Sequence, residues 1–120
     1  TRRGDYALAI RDCNRALALD EKSGPDDPQL GFDLVCVGEA QLGLGRPALA
    51  RTALERALHL RERADGDAGE LARTRFDLAK ALTDRTRARG LVVLARDGFA
   101  TAGQQWQARH AEAVGWLARH

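Results

Sequence analysis

Catalysis or metal binding needs side chains that move protons, donate electron pairs or hold an ion, brought within reach of one another. This chain offers few candidates. His59, His110 and His120 fall in separate segments, no pair has the His-x-x-x-His spacing that sets two imidazoles on one helix face, and no Cys is in register with them. They are read as surface or satisfied core histidines. Cys13 and Cys36 lie inside apolar helical patterns without CxxC spacing, which gives neither a zinc site nor the disulfide framework of a small secreted domain. Both are read as small buried hydrophobes. Asp65-Gly66-Asp67-Ala68-Gly69-Glu70 has the acidity of a calcium loop, but its Gly is displaced and the distal bidentate Glu is missing, so it is read as a connector. Asp26 and Asp27 sit in a Pro-flanked loop where solvent keeps both ionised. Gly43-Leu44-Gly45-Arg46 lacks the Lys-Ser/Thr pair of a phosphate loop and follows no strand. No catalytic, metal-binding or cofactor-binding residue is assigned, and the chain is not expected to be an enzyme.

The segments that carry these residues are helical by composition. Ala, Leu and Arg fill 56 of the 120 positions, aromatics are only 5 %, and Gly and Pro sit mostly between apolar stretches, which argues against a sheet-based core. Charge is abundant but nearly balanced, at a net +2, and basic residues are scattered from Arg2 to Arg119. A nucleic-acid binder would gather them on one stripe with aromatic neighbours. Arg11, Arg15, Arg51, Arg56 and Arg61 could form a convex strip, but without stacking residues no nucleic-acid partner is expected. No apolar run approaches the ~20 residues that span a bilayer and no signal-peptide pattern opens the chain. No membrane partner is expected, and a reducing, cytoplasmic setting is the default reading. The chain opens Thr1-Arg2-Arg3-Gly4, without Met, directly before an apolar pattern. It is expected to be a piece of a longer protein.

A repeat organises the rest. At an offset of 41, Gly4-Asp5-Tyr6-Ala7-Leu8-Ala9 superposes on Gly45-Arg46-Pro47-Ala48-Leu49-Ala50, and Ala16-Leu17-Ala18-Leu19 on Ala57-Leu58-His59-Leu60. The same offset carries Leu30 onto Leu71, Val37 onto Leu78 and Gly38 onto Ala79, so each unit holds two segments. Both have helical periodicity: Leu30, Leu34, Val37, Gly38 and Gln41 form one face, and Ala50, Leu54, Ala57 and Leu58 another. Small residues recur where paired helices must approach, at Gly38 or Ala79 on the first helix and at Ala9 or Ala50, then Ala16 or Ala57, on the second. Gly45 marks the turn and Pro47 the start of the second helix. In the third unit the turn around Thr83-Asp84-Arg85-Thr86 is shorter by three residues, while Ala88, Leu91, Val92 and Ala95 restore an apolar face and Asp84 or Thr86 can cap it.

These residues resemble the tetratricopeptide repeat, a helix-turn-helix unit of ~34 residues that stacks into a superhelix. The longer period and the connector Gly24-Pro25-Asp26-Asp27-Pro28 are similar to the variant found in kinesin light chains and many bacterial signalling proteins. The resemblance covers residues 4 to about 96. It implies an all-α, right-handed superhelix of stacked helix pairs: 4–22 the second helix of a truncated repeat, 29–64 a repeat, 69–101 a shortened repeat and 104–120 a capping helix, all in one domain. Trp106, His110, Ala113 and Leu117 share a face of that last helix, with Trp116 beside it. The kinesin-type repeats commonly carry a groove-side Asn that hydrogen-bonds a peptide backbone. The matching positions here are Cys36, which lacks that chemistry, and Asp77, which only accepts when ionised.

In stacked helix pairs the first helices line the concave face. Projection places Phe32, Val35, Glu39 and Leu42 of one unit beside Arg73, Phe76, Asp77, Lys80 and Thr83 of the next. Phe32 and Phe76 have the character of aromatic anchors, and Arg73 with Lys80 suits acidic side chains or a terminal carboxylate. Val35, Leu42 and Phe76 equally suit helix-on-helix packing. The expected function is a non-catalytic interaction module binding a peptide or protein. Two alternatives remain open at this stage. The segment 71–82 and the closing Trp116-Leu117-Ala118-Arg119-His120 resemble the carboxyl-terminal repeats of large bacterial Ser/Thr protein kinases, which implies recruitment of substrates or regulators. An uncapped first helix would also suit packing on the parent chain or self-association.

Overall fold

A computed structural model of the chain describes residues 3–64 and 66–120. Thr1, Arg2 and Asp65, the first residue of the acidic connector, lie outside the described residues. The chain forms α1 (Arg3–Asp20), a 3₁₀ turn (Glu21–Ser23), α2 (Gln29–Gly43), α3 (Pro47–Arg63), α4 (Ala68–Ala81), α5 (Arg85–Ala102), a second 3₁₀ turn (Gln104–Trp106) and α6 (Gln107–Arg119). Among the described residues there is no strand. The fold is an all-α helical repeat arrangement, and it divides into two compact units, Thr1–Ala64 and Asp65–His120.

In the first unit α2 packs against both α1 and α3. That position explains its composition: Leu30, Gly31, Leu34, Val35, Val37, Gly38, Ala40 and Gln41 are all buried. A helix covered on two sides needs apolar or small residues around most of its circumference. Gly38 is small by necessity, since an added Cβ would overlap the Leu54 side chain of α3. The facing residues Ala50, Leu54, Ala57 and Leu58 of α3 are buried. Between the helices Gly45 adopts φ 72°, a left-handed conformation that favours Gly. Its N–H donates to Leu42 O at 3.0 Å and that of Arg46 to Gln41 O at 2.9 Å, which satisfies carbonyls at the end of α2. Pro47 then opens α3, where a missing N–H costs little.

The second unit packs α5 against α4 and α6. Its core joins Ala72, Phe76, Ala79, Ala88, Val92, Ala95, Phe99, Ala113 and Trp116. The Phe99 ring meets Phe76 edge-on at 6.4 Å and stacks on Trp106 at 5.6 Å. Gly69 gives Trp106 its seat, because a Cβ there would overlap the indole. Two Asp caps start the helices. Asp67 Oδ1 accepts from the N–H groups of Gly69 at 2.6 Å and Glu70 at 3.3 Å, and Asp84 Oδ1 accepts from Arg87 N–H at 3.1 Å.

The three-residue loss expected in the turn of this unit falls elsewhere. Residues 44–46 and 82–84 are connections of equal length, and α3 and α5 both begin three residues before their matching Ala50 and Ala88. The difference lies at the end of the first helix: α2 continues to Gly43 after Gly38, whereas α4 stops at Ala81 soon after Ala79. Removing about one helical turn shortens α4 without rotating its contact face.

Candidate functional site

The α2 stripe proposed for a partner, Phe32, Val35, Glu39 and Leu42, runs along one side of the helix at three- and four-residue steps. Its residues meet different fates. Phe32 is 48 % exposed and carries the Arg61 guanidinium 4.5 Å above its ring, which fixes its orientation at the surface. Glu39 and Leu42 are half-buried. Val35, by contrast, is 2 % exposed and belongs to the core.

On α4, Arg73, Phe76, Asp77 and Lys80 share a face, followed by exposed Thr83 beyond the helix end. Here too the structure corrects the surface reading. Phe76 is enclosed against Phe99, and Asp77 is buried beside it in sequence. Neither meets a partner while the helices stay packed. Arg73 and Lys80 remain accessible: Arg73 Nη1 lies 3.7 Å from Glu70 Oε2, and Lys80 Nζ lies 4.0 Å from Asp77 Oδ1 and 4.3 Å above the Phe76 ring. The core residues Phe76 and Asp77 therefore hold the surface cation Lys80 in place.

Lys80 also borders a cleft of about 480 Å³, lined by Ala79, Leu82, Thr83, Arg85, Trp116 and His120 as well. Its wall is partly aromatic, with the Trp116 and His120 rings stacked at 4.2 Å. Lysine, arginine and a threonine hydroxyl around an aromatic wall supply hydrogen-bond donors and positive charge suited to a carboxylate-bearing side chain. Arg85, Trp116 and His120 were missed by sequence reasoning as companions of Lys80. They come from the start of α5 and the end of α6, and only folding brings these to the end of α4.

The cysteines require a correction. Cys13 and Cys36 are joined in a disulfide between α1 and α2, with Cα atoms 5.9 Å apart. A signal for the pairing was present. In an antiparallel helix hairpin, residues equidistant from the turn face each other, and the midpoint of 13 and 36 falls within the Gly24-Pro25 connector. Tyr6 and Gly43 share that midpoint and also meet, since an added Cβ at Gly43 would overlap the Tyr6 ring. Nearby, Asp33 of α2 shares a hydrogen bond with Asp20 of α1. Burial, then that bond and the charge of Asp20, then the charge of Asp27, push its carboxyl up to about 6.

Among the described residues no group of three or more His, Cys, Asp or Glu is placed to hold a metal ion, and no helix is long and apolar enough to cross a membrane. No curated protein and no solved structure matches the chain. A family model described as tetratricopeptide repeat matches residues 1–63, which is more than half of the chain and nearly coincides with the first unit. Repeats of this family generally mediate protein–protein interaction and are typically non-catalytic. With helix pairs built on small-residue contacts, a turn Gly between α2 and α3, and that match, the chain belongs to the tetratricopeptide-repeat family.

Proposed function

We propose that the chain is a non-catalytic interaction module that takes an acidic segment of a protein partner on the exposed parts of its first helices. In the second unit the contributing residues are Arg73, Lys80 and Thr83, on and after α4; in the first unit Phe32, Glu39 and Leu42 on α2 form a candidate surface of their own. One observation carries the reading: Lys80 is held over the Phe76 ring and beside buried Asp77, at the edge of a cleft that Arg85 also lines. An ammonium positioned in advance loses little side-chain entropy on binding a carboxylate. Within the first unit, Phe32, half-exposed under Arg61, is a separate candidate apolar anchor.

Selection from a random peptide library on the full 120-residue chain tests this reading. Enrichment of Asp- and Glu-containing peptides, with affinity reduced about tenfold by Lys80→Glu and an unchanged melting temperature, is the expected result. Peptides without acidic residues, or equal affinity for the Lys80→Glu variant, would overturn it. The resemblance of residues 71–82 and 116–120 to bacterial kinase repeats makes recruitment for a kinase domain the corresponding role in a longer chain. Reading the coding sequence upstream tests that assignment.

A further inference from the structure

Helix α1 buries little fully enclosed carbon against α2, and a covalent bond joins the two helices. Cys13 is its one fully buried residue, while Leu8 is 53 % and Leu19 58 % exposed. Its attachments run in order along the pair. Arg3 Nη1 donates to Leu44 O at 3.1 Å, the Tyr6 ring lies against Gly43, and Cys13 is bonded to Cys36. Only the disulfide is covalent, and it sits near the middle of α1.

The two sulfurs differ in access. Cys13 is 6 % exposed, whereas Cys36 is half-buried, so an external thiol meets Cys36 the more readily of the two. The 23-residue separation contains Gly24, at φ 111°, in a loop that lets α1 move without disturbing α2. Helix α2 keeps a separate partner in α3, through Leu54 against Gly38.

We propose that Cys13 and Cys36 form a reversible thiol–disulfide modification site, a clasp whose closure docks α1 on α2 and whose opening frees it. In closure, the Cys36 thiolate attacks one sulfur of a low-molecular-weight disulfide and releases one thiolate. The Cys13 thiolate then attacks the Cys36 sulfur of the mixed disulfide and expels the second. The protein thiols lose two electrons and two protons, and the oxidant becomes two thiols. Opening is the reverse: an external thiolate attacks Cys36, Cys13 leaves as thiolate, and a second external thiol resolves the mixed disulfide. A reducing compartment holds the clasp open and an oxidising one holds it closed.

The test equilibrates the full chain in glutathione buffers of stepped redox ratio, quenches with an alkylating agent, and reads intact mass alongside amide hydrogen exchange. After the quench the reduced chain should carry two alkyl groups, one on each cysteine, and the oxidised chain none. Reduction should raise exchange of α1 amides on the order of a hundredfold while leaving those of α3 unchanged. Under oxidising buffer Cys36→Ser should reproduce the reduced exchange pattern. Equal α1 exchange in both states would overturn the clasp. So would a disulfide that survives strongly reducing glutathione, or a parallel rise in α3, each of which marks a structural staple. None of these readings depends on partner binding.

Discussion

The two outermost helices of the units, α1 and α6, are attached by different means. Each packs chiefly on one neighbour, α1 on α2 and α6 on α5. Helix α6 inserts Ala113 and Trp116 into an aromatic core that includes Phe76 and Phe99, with Trp106 packed against it. Helix α1 fully buries one cysteine, which carries the disulfide to α2, and adds a guanidinium on a carbonyl, the Tyr6 ring against Gly43 and the Asp20 carboxyl near that of Asp33. Burial of carbon is indifferent to pH and redox conditions, whereas thiols and carboxyl groups respond to both. Similar helical elements in one family are thus given a constitutive attachment in one unit and a chemically adjustable one in the other.

The largest expected effect is on the aromatic side. Trp116→Ala should cost about 3–5 kcal/mol in the second unit, measured by urea denaturation with a probe in α5, and leave exchange in α1 untouched. A loss below about 1 kcal/mol would break the contrast by showing that α6 is not held by aromatic burial. Next comes reduction of Cys13–Cys36, which opens a loop of 23 residues in sequence and should lower first-unit stability by about 3 kcal/mol. The second unit should not respond.

A smaller change, about 1–3 kcal/mol, is expected for Gly69→Ala, which drives a methyl group into the Trp106 indole stacked on Phe99. Near-ultraviolet circular dichroism of the tryptophans should report the displacement. The smallest concerns pH. Asp33 has a folded-state value of about 6 against its ordinary 3.8, so the folded chain binds this proton more tightly than the unfolded one. The resulting stabilisation is complete below about pH 4 and is lost as pH rises through about 6. Asp33→Asn should flatten that part of the first unit's stability profile, and an unaltered slope would remove the carboxyl pair from the attachment of α1.

Much of the fold was legible because its signals are local. The 41-residue offset, Gly38 and its matching Ala79, Gly45 at the turn, Pro47 at the start of α3 and Asp84 as a cap are choices made within a few residues of where they act. The candidate site was legible only in part. Periodicity grouped Phe32 with Val35 along α2, and Arg73 and Phe76 with Lys80 along α4. Yet it gave no way to tell that Val35 and Phe76 are covered while Phe32 and Lys80 are not. A helical pattern defines faces, and the neighbouring helices decide how wide a strip each face buries.

By itself, the sequence determined that this chain is an all-α array of helix pairs and that no cluster of catalytic residue types exists within any one segment. Those properties follow from short-range sterics and periodicity. Tertiary structure decided that the two cysteines meet, that burial and the neighbouring Asp20 raise the Asp33 carboxyl, and that Arg85, Trp116 and His120 join Lys80 around one cleft. Each of these depends on the distance between atoms far apart in the chain. Helix-on-helix packing fixes that distance, and no local residue preference encodes it.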